Sequence, residues 1–132
     1  GKAMSRAAHA QPRNVVVLGS TGSIGESALK VARDIPERMR LVGLAAHRSG
    51  EKLAKQLNKT KVQRACLSDP EAFQDFREMI PGTITALTGE EGLIELATLP
   101  EADVVLIAIV GTAGLRPALA AILDGAGGPE DG

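Results

Sequence analysis

Apolar residues along this chain follow two rhythms that take turns. Val15-Val16-Val17-Leu18, Leu41-Val42-Gly43-Leu44-Ala45-Ala46 and Val104-Val105-Leu106-Ile107-Ala108-Ile109-Val110 are continuous runs, the form a strand takes when helices cover both faces of its sheet. Between them apolar positions recur three and four apart. Ile24, Ala28, Val31, Ala32 and Ile35 do so up to Pro36, and Leu53 and Leu57 within 50–59. Phe73, Phe76 and Ile80 follow Asp69, a helix cap, and Pro70, suited to a first turn, and run to Pro81-Gly82. Leu93, Leu96 and Ala97 precede Pro100, and Leu115, Leu119, Ile122 and Leu123 precede Gly125. The spacing predicts a helix at each. Shorter strands are expected at 62–67 and, from strict alternation, at 83–87. Strand and helix alternating over short links predict an α/β fold with a doubly wound parallel sheet, in a single domain over 14–125. Residues 1–13 and 126–132 lack periodicity and read as a disordered leader and a disordered tail. The last strand, apolar at every position from Val104, is expected at the centre of the sheet and buried on both faces. Val62 and Cys66 share a strand parity and are expected on one face.

Composition narrows the function. The chain has 132 residues, 44% apolar and 23% charged, and no apolar run approaches the ~20 residues that span a bilayer, so a soluble protein with no membrane partner is expected. Net charge is -1, with Lys and Arg scattered, and there is no Trp or Tyr. That excludes a basic stripe or a stacking platform for nucleic acid, and leaves Phe73 and Phe76 as core. Cys66 is the lone cysteine. It excludes an internal disulfide, suits the cytoplasm, and reads as a small buried hydrophobe and not a nucleophile.

Candidate chemistry sits at the first strand's exit. Gly19-Ser20-Thr21-Gly22-Ser23-Ile24-Gly25 carries glycines at G-x-x-G-x-x-G spacing between a strand and a helix. Such a turn aims the unpaired N–H groups of the helix start at one spot, backed by the helix dipole, where a phosphate is the natural guest. Gly19 allows the sharp exit, Gly22 the approach of a pyrophosphate, and Gly25 close helix packing, while Thr21 and Ser23 add hydroxyls. The arrangement is Rossmann-like. The bland alternative is a glycine turn that only connects two packed elements. At the second strand's tip stands His47-Arg48-Ser49, with no acid for a ribose 2′-hydroxyl and with a guanidinium beside a hydroxyl, the chemistry a 2′-phosphate needs. NADP is therefore expected over NAD. Arg48 as a solvated surface residue is the alternative, and His47 either stacks on adenine or is simply exposed. The Ala108 to Gly114 segment is expected near the cofactor's other half.

Two of these stretches together, Gly19-Ser20-Thr21-Gly22-Ser23-Ile24-Gly25 and Ala108-Ile109-Val110-Gly111-Thr112-Ala113-Gly114-Leu115, resemble the amino-terminal domain of the 1-deoxy-D-xylulose 5-phosphate reductoisomerase family. The resemblance runs from about Asn14 to Gly125. It implies an NADPH-dependent enzyme of the methylerythritol phosphate route to isoprenoids, in which a divalent metal (Mg or Mn) assists rearrangement of the sugar phosphate and NADPH reduces the aldehyde formed to 2-C-methyl-D-erythritol 4-phosphate. It further implies that Thr21, Gly22, Ser23 and Ile24 hold the cofactor's diphosphate, and that His47, Arg48 and Ser49 hold its 2′-phosphate and adenosine end. Ala108 and Ile109 are placed near the nicotinamide, and a homodimer is implied. The family usually has Gly, Ser or Asn at the place of His47. Its Leu-Ala-Asn-Lys-Glu segment and catalytic domain have no counterpart here, so no metal ligand, substrate ligand or catalytic acid is assigned, and the chain is expected to be a fragment inactive alone. A non-catalytic NADP-binding or interaction module, or a fragment of a semialdehyde dehydrogenase-like reductase, are the rival readings.

Overall fold

The chain is seen in a computed structural model that describes residues 11–109. Strands β1 (Arg13–Leu18), β2 (Met39–Ala46), β3 (Arg64–Leu67), β4 (Thr85–Thr88) and β5 (Val104–Ile107) alternate with helices α1 (Ser23–Asp34), α2 (Gly50–Thr60), α3 (Pro70–Glu78) and α4 (Gly89–Ala97). All pairings are parallel, in the order β4-β3-β2-β1-β5. The chain steps outward from β1 to β4 and then returns to lay β5 on the other side of β1. That reversal makes the sheet doubly wound, an α/β Rossmann-like arrangement with its topological switch point at the carboxyl ends of β1 and β5.

Burial explains why β1 is the axis. Val16 and Val17 are wholly excluded from solvent, and they point to opposite faces of the sheet. Burying each such side chain stabilises the fold by roughly 1.5–3 kcal/mol. One face joins Val15, Val17, Leu44 and Leu67 to Leu53 and Leu57 of α2 and Phe76 of α3, with Ala28 and Leu29 of α1 against them. The other joins Val16, Leu18, Ala45 and Cys66 to Leu93 and Leu96 of α4.

Local signals end the helices where chemistry requires. The α1 cap is Ile35, just before Pro36. Asp69 caps α3, its Oδ1 accepting from the Glu71 N–H at 3.0 Å, with Pro70 at the first position. Lys61 closes α2 in the left-handed region at φ 63.

Five expectations need correction. Among the described residues β5 pairs with β1 alone, and Val104 and Ile107 are 39% and 38% exposed where burial on both faces was expected. An all-apolar run reports surface that needs cover, and the described elements leave part of it uncovered. Val62 and Cys66 lie in opposite cores, because the left-handed Lys61 and the start of β3 at Arg64 put Val62 outside the strand whose parity was counted. The fourth strand is Thr85–Thr88, since a turn closed by the Ile84 N–H on the Pro81 carbonyl occupies its expected start. On α1, Ala28 and Leu29 face the core while Ile24 and Val31 are exposed. β1 takes in Arg13, one residue of the expected leader. The expected helix at 116–124, the tail and most of the leader lie outside the described residues.

Candidate functional site

The glycine-rich turn is held from three sides. The N–H groups of Gly19 and Ser20 both donate to the Ala45 carbonyl of β2, at 2.7 and 2.9 Å. Ser20, wholly buried, donates its hydroxyl to Gln56 Oε1 at 2.7 Å, and Gln56 Nε2 donates to the Ser20 carbonyl at 2.9 Å. Lys52 donates to the Thr21 carbonyl at 3.1 Å and pairs with Glu26 at 3.0 Å. The chain also crowds itself: a Cβ on Gly25 would stand 2.1 Å from the Gly19 carbonyl oxygen. Gly19, at φ 95, is equally closed, since its Cβ would meet Ile109 Cγ1 at 2.8 Å and the Ala108 carbonyl carbon at 2.9 Å.

Gly22 is the opposite case. A Cβ there would find only the Gly19 oxygen, at 3.8 Å, so the backbone faces open space. It is also the N-cap of α1 and caps it with no side chain. Among the described residues no acceptor meets the N–H groups of Ser23 or Ile24. Gly22, Ser23 and Ile24 are exposed, Ile24 at 56%, and Thr21 is half-buried. Amides with no acceptor among the described residues, a helix dipole and open space at Gly22 are the features that suit an anion. The turn lies at the β1–β5 reversal, where Ala108 is buried and Ile109 half-buried against Gly19. The two stretches that carried the resemblance therefore meet in space as far as Ile109; Val110 to Leu115 lie outside the described residues.

His47, Arg48 and Ser49 stand exposed at the end of β2. The absence of an acid at this tip holds for neighbours in sequence but not in space. Asp69, from the β3–α3 link, accepts from Arg48 Nε through Oδ2 at 2.6 Å, with the arginine side chain 69% exposed and the aspartate 10%. His47 Nδ1 and Ser68 Oγ are hydrogen-bonded at 2.9 Å. Backbone bonds join the same links, Ser68 N–H to the Ala46 carbonyl and Asp69 N–H to the His47 carbonyl. The Arg48 guanidinium, followed by the Glu71 N–H, holds the Asp69 carboxyl below the ordinary aspartate range. Ser49 sits at the N-cap of α2 without capping it through its side chain, so its hydroxyl is unused there.

Four residues of this site escape sequence reasoning. The pattern of α2 gives Lys52 and Gln56 no site role, and of Ser68 and Asp69 only the cap of α3 is read from the sequence. Lys52 and Gln56 do lie four apart on one helix face, but their partners are 31 and 36 residues away, with no local signal. A groove of about 840 Å³ also opens between α1 and α2, with Leu29 and Met39 in its lining and Lys30, Arg40, Lys55 and Lys59 among its cations. It shares Lys52 and Gln56 with the turn but has no residue of 19–24 or of β5 in its lining.

Other chemistry is limited. Cys66 is buried, and that burial, with Glu95 second, pushes its thiol up to about 12, so it carries no thiolate at neutral pH. Among the described residues no three His, Cys, Asp or Glu side chains gather where they could hold a metal ion, and no helix is long and apolar enough to cross a membrane.

Several known proteins are similar to this chain. The family profile described as 1-deoxy-D-xylulose 5-phosphate reductoisomerase matches residues 15–127. The protein of that name from Thermodesulfovibrio yellowstonii is 42% identical over 113 residues, covering 86% of this chain and 29% of the relative. That from Zymomonas mobilis is 40% identical over 116 residues, covering 87% and 30%. The solved Zymomonas mobilis reductoisomerase in complex with NADPH superposes with a TM-score of 0.75 at 38% identity, over 86% of this chain and 30% of that one. A reductoisomerase in complex with NADPH, fosmidomycin and magnesium gives 0.74 at 33% identity, over 83% and 28%. The chain thus spans less than a third of the length of these relatives.

Proposed function

The chain belongs to the 1-deoxy-D-xylulose 5-phosphate reductoisomerase family, and from that premise we propose that it is the NADPH-binding part of such an enzyme. Thr21, Gly22, Ser23 and Ile24 hold the diphosphate through backbone amides and two hydroxyls, and His47, Arg48 and Ser49 take the 2′-phosphate and adenosine end. Ala108 and Ile109 line the nicotinamide side. The observation that carries this reading is Gly22, whose missing Cβ leaves open space in front of the free amides of Ser23 and Ile24.

NADPH supplies a hydride when bound. The residues described here bind and orient; they move no proton. In the whole enzyme the substrate is 1-deoxy-D-xylulose 5-phosphate and the product 2-C-methyl-D-erythritol 4-phosphate. The described residues do not fit the divalent metal of that reaction, since no cluster of ligands exists among them, and we assign it to sequence outside them, with the substrate phosphate and catalytic acids. The 132-residue chain alone is expected to bind cofactor without turnover. We place the whole enzyme in the cytoplasm as a homodimer, the lone buried Cys66 suiting a reducing compartment.

Titration calorimetry with NADPH tests the reading. Gly22→Val puts a branched side chain into the cradle, its Cβ in ordinary contact with the Gly19 oxygen at 3.8 Å. The variant is expected to melt within a few degrees of the parent and to bind NADPH at least about tenfold more weakly. Equal NADPH affinity in the two proteins would overturn the cradle.

A further inference from the structure

We infer that Asp69 is a positioning residue for the 2′-phosphate grip: it holds Arg48 by Nε so that the two terminal amino groups of the guanidinium face outward as a fork. The inference rests on the reading of Arg48 as the 2′-phosphate ligand and adds what makes that ligand competent.

Both carboxylate oxygens of Asp69 are committed. Oδ1 takes the Glu71 N–H at the start of α3, and Oδ2 takes Arg48 Nε. The carboxylate therefore cannot swing, and at 10% exposure it is not offered to a ribose hydroxyl. Arg48, by contrast, is 69% exposed, so what lies outside the pair is the distal part of its guanidinium. An exposed arginine carries about 2 kcal/mol of rotamer entropy that a phosphate must otherwise remove on binding. Pinning Nε removes part of it beforehand and leaves an edge matched to two phosphate oxygens. The His47–Ser68 pair and the bond from the Asp69 N–H to the His47 carbonyl tie the same two links, so the arginine's base is fixed as well as its head.

The arrangement has an electrostatic consequence that a purely structural aspartate would lack. With Arg48 in place the negative charge of Asp69 is spent on orientation. Without Arg48 it is an uncompensated anion next to the 2′-phosphate position. The sign of the effect of Asp69 on 2′-phosphate binding thus depends on Arg48.

The test uses the full chain with two probes, adenosine 2′,5′-bisphosphate and adenosine 5′-monophosphate, which differ only in the 2′-phosphate. Asp69→Asn keeps an oxygen to cap α3, because Asn and Asp are equivalent N-caps, and removes the charge. It is expected to weaken the bisphosphate about fivefold while leaving the monophosphate unchanged. In an Arg48→Ala background the same substitution is expected to strengthen the bisphosphate about twofold by removing a like charge. Equal weakening of both probes, or no effect of Asp69→Asn on the bisphosphate with Arg48 present, overturns the inference. If the parent chain itself does not prefer the bisphosphate, the reading of Arg48 fails instead, and the two failures are distinct.

Discussion

Ser20 and Gln56, 36 residues apart, exchange two hydrogen bonds, hydroxyl to amide oxygen at 2.7 Å and amide nitrogen to main-chain carbonyl at 2.9 Å. The pair fastens the glycine-rich turn to α2 from below, so the amides of Ser23 and Ile24 are presented by a turn whose underside cannot drift. Preorganised donors cost no rearrangement when an anion arrives.

Gln56→Leu fills the same space and leaves the buried Ser20 hydroxyl and carbonyl without these partners. Each buried polar group left unpaired costs about 1–3 kcal/mol. Urea unfolding, followed by circular dichroism because the chain has no Trp or Tyr, is expected to show a loss in that range or above. Unchanged stability would mean that the turn holds itself.

Acid should weaken the fold partly through Asp69. Its carboxyl is held below its ordinary value by Arg48 first and by the Glu71 N–H second. A carboxyl so depressed contributes stability that is fully present above its unfolded pKa and is lost as pH falls through the folded one. Glu101, lowered by its own N–H and by Arg64, acts with the same sign, so the contribution of Asp69 is isolated by comparison with Asp69→Asn. The stability gap between parent and variant is expected at neutral pH and should close below about pH 4. A gap of the same size at pH 7 and pH 3 would show that the charge of Asp69 does not matter to the fold.

Cys66 offers a probe of opening. Its thiol, buried between β3 and α4 and raised to about 12, should stay unmodified by a disulfide reagent at pH 8 in the native chain and react once in guanidinium. Rapid labelling of the native protein at a rate independent of stability would contradict the packing of α4 on that face.

Much of the fold was legible. Asp69-Pro70 marked the start of α3 because a side-chain oxygen and a fixed φ act within one turn. Pro36 marked the end of α1 for an equally local reason. The glycine turn was legible too, since Gly19, Gly22 and Gly25 lie at the strand–helix junction that needs them. The exposure of Val104 and Ile107 was not, because an apolar run states how much surface must be hidden and not what hides it. Nor was the pairing of Arg48, read as a tip without an acid.

What the sequence determined alone is whatever acts within about one helical turn: the caps, the stops, the alternation of elements and the chemistry of the glycine turn. The tertiary structure decided which distant groups meet. Parallel pairing of β2 with β3 brings the Asp69 link beside Arg48, and the reversal at β1 brings Ile109 against Gly19. The reason is physical: a hydrogen bond or an ion pair depends on separation in space, and only the closed sheet converts separations of 21 or 36 residues into contact distance.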